Sequence, residues 1–215
     1  MPSKSPGLFR LPLQISAVAL TCSLGLFSPA SNASALTIVP SAASVLVGNS
    51  FTVDLVISGV VDLAPPSIGS YDIEFGYDDA LLGFDTVTFG GPGPDQLDLL
   101  NLGPITFLDS STAGTVLLGE VSLDDTNTLN DFQAGTFTLA RLQFTGLAAG
   151  TADLSVIAAL FADAVGDDLV IDELPGISSV QVVAPIPAAV WLFVSGLGVL
   201  PVLRRRTRGS TQAAT

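Results

Sequence analysis

Residues 71–78, YDIEFGYD, alternate between apolar and polar side chains at every position. The same period of two recurs in residues 51–58, FTVDLVIS, and in residues 151–156, TADLSV. Successive side chains of a β-strand point to opposite faces of a sheet, so this period predicts strands with one buried face. Tyr71 and Tyr77 share the face of the other apolar residues, which predicts that both tyrosines belong to the core.

Short apolar runs without a helical period fill the rest of residues 36–183, and Gly- and Pro-rich turns separate them. We predict a short helix over 95–102, which begins after Pro94 and ends at Gly103. Many short strands between turns predict an all-β, antiparallel β-sandwich. The further predicted strands are residues 36–39, 84–89, 116–123, 169–171 and 177–183.

Residues 136–145, TFTLARLQFT, break the alternation, because the apolar positions change faces between Leu139 and Leu142. A one-residue slip moves every later side chain to the opposite face of the sheet. We therefore predict a bulge or bend at Ala140 and Arg141. Arg141 is the only basic residue in this acidic region, and we expect it to pair with nearby carboxylates.

The central region is strongly acidic. All 20 acidic residues lie between Asp54 and Glu173, and one arginine lies among them, which gives a net charge of −19. Such a surface repels nucleic acid, so no nucleic-acid partner is expected.

The composition also limits the chemistry. The chain has no histidine, which excludes a Ser-His-Asp triad and any His-liganded metal site. Its single cysteine, Cys22, lies in the N-terminal apolar run, so the central region has neither a thiol nucleophile nor a disulfide. We predict no catalytic residues and no enzyme. A two-carboxylate glycoside hydrolase is the least favoured alternative, because the sequence pairs neither Glu120 nor Glu173 with a second catalytic carboxylate.

Two acidic loops could contribute ligands to a Ca²⁺ site. Residues 124–127, DDTN, and residues 167–168, DD, carry the oxygen ligands that Ca²⁺ prefers, but neither has EF-hand spacing. We favour solvated acidic loops and expect no cofactor and no metal site, with a Ca²⁺ site as the alternative.

The N-terminus has the pattern of an export signal. Two basic residues precede an apolar run at 11–27, and Ala33 and Ala35 place small residues at positions −3 and −1 of a cleavage site. The pattern predicts a signal peptide over 1–35 that directs Sec export and is removed by signal peptidase. Leu36 would then be the first residue of the mature chain.

The C-terminus has the pattern of a membrane anchor. Residues 186–203 contain no charge, and a helix of this length would span about 27 Å, enough for the bilayer core. Arg204, Arg205 and Arg206 follow at once and would remain in the cytoplasm. We predict a C-terminal transmembrane helix that holds the acidic domain outside the inner membrane.

A short proline-containing motif begins directly before the apolar span and consists of Ala184, Pro185, Ile186, Pro187 and Ala188. The order of this motif, the apolar span and the arginines resembles the PEP-CTERM class of sorting signals, in the variant usually written VPLPA-CTERM. The resemblance implies cleavage by an exosortase, a membrane processing enzyme, and a cell-surface or extracellular product. It assigns residues 184–208 to the sorting signal and residues 209–215 to a disordered tail.

Six stretches of the central region form a further pattern: residues 36–41 (LTIVPS), 45–53 (VLVGNSFTV), 71–75 (YDIEF), 80–84 (ALLGF), 135–144 (GTFTLARLQF) and 149–154 (AGTADL). Through these stretches the region resembles cohesin-type domains over most of 36–183. The resemblance implies a jelly-roll sandwich of about nine strands that is related to carbohydrate-binding modules. In cohesins proper, one sheet face binds dockerin modules.

Together these patterns predict an exported, sortase-like-processed surface or matrix protein whose cohesin-like domain serves adhesion or assembly. The alternative is a cohesin-type binding module that recognises a dockerin or an extracellular polysaccharide. A glycoside hydrolase is the third and least favoured hypothesis.

Overall fold

The computed structural model describes residues 33–91 and 94–185. These residues form two packed sheets, one with the strand order β1-β3-β8-β5 and the other with the order β2-β10-β9-β4-β7-β6. The all-β sandwich predicted from the sequence is confirmed. The elements are β1 (Ala35–Pro40), β2 (Ser44–Leu46), β3 (Ser50–Ser58), β4 (Ile68–Tyr77), β5 (Leu82–Phe89), β6 (Ile105–Asp109), β7 (Thr115–Val121), α1 (Thr126–Phe132), β8 (Thr136–Gly146), β9 (Gly150–Asp163) and β10 (Ser178–Val183).

The first two strands, β1 and β2, follow each other closely in the chain but belong to different sheets. β1 pairs antiparallel with β3, and β2 pairs parallel with β10. Pro40 ends β1, and a proline has no N–H with which to continue a ladder. This division explains why the described residues contain ten strands rather than about nine. It also makes β2–β10 the one parallel strand pair among them.

The two sheets meet in an aromatic cluster around Phe144 of β8, which is fully buried. Its ring lies 6.0 Å from that of Phe51 in the same sheet and 5.7 Å from that of Phe84. From the opposite sheet, the rings of Phe75 and Tyr77 lie at 6.0 Å and 5.2 Å. Phe144 therefore contacts aromatic side chains of both sheets.

The predicted break in β8 is confirmed. Leu55 pairs with Ala140 but its neighbour Val56 pairs with Thr138, so Leu139 is an extra residue in the ladder. Leu139 and Ala140 are both buried, which marks the change of face. The bulge keeps apolar side chains in the core along the whole strand.

The pairing of Arg141 is also confirmed. It lies opposite Asp54 of β3, and its Nε and Nη2 donate to Asp54 Oδ1 and Oδ2 at 2.6 and 2.7 Å. This two-point contact fixes both side chains on the solvent side of the four-stranded sheet.

The helix predicted over 95–102 is wrong. This segment forms turns, in which Asp95 Oδ1 accepts from Leu97 N and Asp98 Oδ1 accepts from Leu102 N. Such side-chain contacts satisfy backbone donors locally and compete with a helix.

The helix of the described residues is α1, where Asp125 accepts hydrogen bonds from the second and third helical amides. The strand predicted over 169–171 is irregular chain. β2 and β6 were not predicted.

Phe144→Ala should lower the free energy of unfolding by about 3–5 kcal/mol, because it removes the ring that joins both sheets and leaves a cavity. Urea denaturation followed by circular dichroism measures this loss. Phe132→Ala is the matched control, since its ring is 65% exposed, and it should change stability by less than about 0.5 kcal/mol. Equal losses in the two variants would contradict a core centred on Phe144.

Candidate functional site

The strands β9, β4, β7 and β6 lie side by side with one side toward solvent. Leu160 pairs with Asp72, Asp72 with Gly119, and Gly119 with Phe107, so these four residues form one row across the sheet. We call this row and the next one the outer face. The next row contains Ala162, Ser70, Val121 and Ile105.

The outer face is concave, and together with Asp168 its residues line an open groove of about 310 Å³. Gly119 makes the groove possible because it has no side chain. A Cβ at this position would lie 2.9 Å from the carbonyl oxygen of Tyr71. A larger residue would therefore press against the backbone of β4 as well as fill the groove.

The outer face exposes large apolar side chains. Leu160 is 73% exposed, Ile105 62%, Phe107 53% and Val121 45%. Isolated apolar residues are ordinary on a protein surface, but a contiguous group in register across strands is typical of an interaction site.

The solvent side of the four-stranded sheet is different. One row there contains Asp54, Arg141 and Thr88, and polar residues continue in the next row. Val39, which pairs with Asp54, is the exposed apolar residue of the first of these rows, so the larger apolar group lies on the outer face. The next polar row contains Thr52, Gln143 and Thr86.

Carboxylates lie within and beside the apolar surface. Asp72 and Asp168 line the groove, and Glu74 and Asp109 lie in the adjoining row with Leu117. The one basic side chain among the described residues is held by Asp54 on the opposite sheet. The outer face is therefore apolar and anionic.

No protein-family profile matches this sequence, and no curated protein matches it. Its fold, however, is similar to solved structures of cohesin modules. A cohesin module of a family 33 glycoside hydrolase from Clostridium perfringens has 17% identity and a TM-score of 0.55, covering 72% of this chain and 99% of that module. This chain has the cohesin fold.

Two further structures have the same fold. A type II cohesin domain from the cellulosome of Acetivibrio cellulolyticus has 19% identity and a TM-score of 0.57, covering 69% of this chain and 95% of that one. The sixth cohesin of scaffoldin B from the same organism, solved in complex with a Cel5 dockerin, has 15% identity and a TM-score of 0.53, covering 70% and 99%. The fold expected from the sequence resemblance is confirmed.

A buried carboxyl group lies directly beneath the outer face of the cohesin-like domain. Glu120 follows Gly119 in β7 and points inward, where it is 1% exposed. Tyr71 Oη lies 3.1 Å from Glu120 Oε2 and 3.0 Å from the carbonyl oxygen of Leu139. This hydrogen bond was not predicted, because Tyr71 belongs to a strand distant in sequence.

The surroundings of Glu120 favour its neutral form. Burial and the nearby carboxylate of Asp95 raise the pKa of Glu120 to about 8, although the hydrogen bond with Tyr71 lowers this pKa. Burial, and then the charge of Glu120, raise the pKa of Tyr71 well above its usual value. A protonated Glu120 can donate to Tyr71 Oη while Tyr71 donates to Leu139, so both contacts are satisfied at once.

Glu120 is not placed for catalysis on an outside substrate. Both Glu120 and Tyr71, which is 3% exposed, are closed off from solvent. Among the described residues, Glu120 Oε1 has no hydrogen-bond partner. The geometry is that of a buried acid that costs stability when it ionises.

The acidic loops have structural contacts in this domain. Asp124 accepts from the backbone amides of Leu99 and Leu100 at 2.6 and 3.3 Å, and Asp125 caps α1. Within residues 33–91 and 94–185, no group of three or more acidic side chains is placed to hold a metal ion.

Most of the predicted processing residues lie at or beyond the ends of the domain. Ala33 is exposed and Ala35 begins β1. Ala184 and Pro185 are exposed and follow directly after β10. The other sorting and stop residues, Ile186, Pro187, Ala188, Arg204, Arg205 and Arg206, lie outside the described residues.

The predicted membrane span at 186–203 also lies outside the described residues, as does most of the predicted signal peptide. In the part of the chain that the structure describes, no helix is long and apolar enough to cross a membrane.

Sequence reasoning did not find the outer face. The residues of β6 read ITFLD, a short run whose alternation ends at Leu108, and only Gly103 and Pro104 mark its start. The rows depend on pairing between β6, β7, β4 and β9, which are separated in sequence. Local patterns carry little information on such pairing.

The free energy of unfolding should fall as pH rises from about 4.5 to about 8, because Glu120 is protonated in the folded domain but ionises near pH 4.5 once unfolded. Its contribution is complete below the lower pH and lost above the higher one. Glu120→Gln keeps the shape and removes the acid, so it should be more stable than the wild type at pH 8, by up to about 4 kcal/mol.

Urea denaturation at a series of pH values measures this difference. The matched control is Glu74→Gln, which removes a carboxylate from the solvent side of β4 and should keep the steep pH dependence. A Glu120→Gln variant with an unchanged slope would show that Glu120 does not titrate in this range.

Proposed function

We propose that this domain is a cohesin-type binding module and that it recognises a dockerin-like protein module through the outer face. The observation that carries the proposal is the group of exposed apolar side chains on the outer face, which are Leu160 of β9, Val121 of β7, and Ile105 and Phe107 of β6. The sixth cohesin of scaffoldin B, which has the same fold, is described in complex with a dockerin.

The outer face has the properties of a preorganised protein-binding site. Its side chains project from four hydrogen-bonded strands, which hold them in place before a partner arrives. Phe107 and Leu160 stand at opposite ends of one row, with the low floor of Gly119 between them. A partner that places apolar side chains between Phe107 and Leu160 would cover both.

The charge of the outer face specifies the partner further. Asp72 and Asp168 line the groove, whereas Arg141, the one basic side chain among the described residues, is paired with Asp54 on the other sheet. A partner with basic side chains around an apolar centre would neutralise these carboxylates and be steered toward them.

A polysaccharide ligand is the second candidate, and Phe107 is the observation that favours it. Its ring is 53% exposed on the groove and could stack on a sugar ring. The outer face offers Phe107 as its one aromatic ring, however, whereas the other exposed residues are aliphatic. A protein partner accounts for more of the surface.

We further propose that the domain acts outside the inner membrane, after Sec export and processing by an exosortase at the motif that begins with Ala184 and Pro185. These two residues are exposed directly after β10, so an enzyme could reach them without opening the sandwich. Binding of a dockerin-like partner would then be the physical basis of the adhesion or assembly that is expected for a surface or matrix protein.

Phe107→Ala and Leu160→Ala should each weaken binding of a dockerin module at least about tenfold, or about 1.4 kcal/mol, because each removes an apolar contact from the interface. Isothermal titration of the purified domain with the dockerin-like modules encoded in the same genome measures the dissociation constants. Phe132→Ala, an exposed ring outside the groove, and Thr88→Ala, on the opposite sheet, are the matched controls and should bind like the wild type.

Two results would contradict the dockerin proposal. Equal affinities of the wild type and both groove variants would place the interface elsewhere. No binding to any dockerin module, together with retention on extracellular polysaccharide that is lost in Phe107→Ala, would favour the glycan hypothesis.

A further inference from the structure

Ser34, just before β1, is hydrogen-bonded to the connection between β9 and β10. Ser34 N and Ser34 Oγ both donate to Asp172 Oδ2, at 2.9 and 3.0 Å. In return, Ser34 Oγ accepts from Asp172 N at 3.1 Å, and the carbonyl oxygen of Ser34 accepts from Glu173 N at 3.0 Å. These four hydrogen bonds, which we call the Ser34 hook, tie the connection between β9 and β10 to the entrance of β1.

The residues on either side of Ser34 also belong to the fold. Ala35 pairs with Ser58 of β3 and forms a bridge with Glu173, and Leu36 N donates to the carbonyl oxygen of Glu173 at 2.9 Å. On the other side, the backbone of Ala33 packs against Gly59, where a Cβ would collide with the Ala33 carbonyl group. The ordered contacts thus begin before Ala35.

Signal-peptide cleavage after Ala35 would remove the Ser34 hook. The connection between β9 and β10 would keep only the contact between Leu36 and Glu173 at this point, and the Asp172 carboxylate would lose both donors. The sequence contains a second site with small residues at positions −3 and −1, Ser31 and Ala33. Cleavage there leaves Ser34, and with it the hook, in the mature chain.

We propose that signal peptidase cleaves after Ala33 and that the new N-terminus of Ser34 forms an ion pair with Asp172. The inference rests on the export proposed above. Water hydrolyses the Ala33–Ser34 peptide bond, which leaves a carboxylate on the released peptide and an α-ammonium group on Ser34. The nitrogen that donates to Asp172 as an amide thereby gains a positive charge in its place.

The charge of the domain makes this new cation significant. The mature region carries 20 acidic residues, and Arg141 is the only basic side chain among them. An α-ammonium group is charged at neutral pH and makes shorter and stronger hydrogen bonds to a carboxylate than an amide does. Processing would therefore strengthen the hook as well as preserve it.

Intact-mass measurement and N-terminal sequencing of the protein secreted after expression of the full chain test the cleavage site. The expected first residue is Ser34. A first residue of Leu36 would overturn the inference, because the Ser34 hook would be absent. A start at Ser31 would overturn the assignment to Ala33 even though the hook would remain. Retention of Met1 would overturn this inference and the proposed export together, while dockerin binding, measured separately, would stand.

Two matched variants test the ion pair in the secreted protein. Asp172→Asn should lower the melting temperature by about 2–4 °C, because the ammonium group loses its counter-charge. Asp167→Asn changes an exposed aspartate of the same connection and should leave the melting temperature unchanged or raise it. Equal effects of the two variants would overturn the ion pair, whatever the first residue proves to be.

Discussion

The sandwich depends on apolar contact between its two sheets, which is centred on Phe144. The central region contains no cysteine, so no disulfide can substitute for that contact. Every second residue of β4 and β7 must therefore point inward, and the register between strands then fixes which residues point outward. Three members of the row from Leu160 to Phe107 are a direct result, because Asp72, Gly119 and Leu160 each lie between inward-facing residues of their strands. The core and the outer face are thus the two sides of the same strand pairing.

Glu120 is an exception within this apolar interior. A carboxyl group at an inward position of β7 would be costly if it were charged, and the nearby Asp95 adds repulsion. The protonated carboxyl group can donate to Tyr71 Oη while Tyr71 donates to the carbonyl oxygen of Leu139. The bulge that makes Leu139 the extra residue of β8 lies beside this cluster, so the irregularity of that strand and the polar group in the core are neighbours in space.

The sequence predicted what depends on neighbouring residues. Alternation located β3, β4 and the start of β9, and the change of parity near Ala140 located the bulge. It did not predict what depends on distant pairing. Asp95 and Asp98 lie in a segment that looks helical, but their carboxylates bind nearby amides and hold turns instead. The alternation ends at Leu108 in β6, because this edge strand is exposed on both sides. The outer face and the partner of Glu120 could be found only after β6, β7 and β4 were placed side by side.

The separation of β1 and β2 into different sheets has a mechanical consequence. β10, the last strand before the predicted sorting motif, is hydrogen-bonded to β9 on one side and to β2 on the other, and β2 runs parallel to it. A pulling force applied at the C-terminal end would act along β10 and shear both ladders at once, rather than open them one hydrogen bond at a time. A module tethered by this end would therefore resist flow or traction better than one tethered through an edge strand, which a force can peel away.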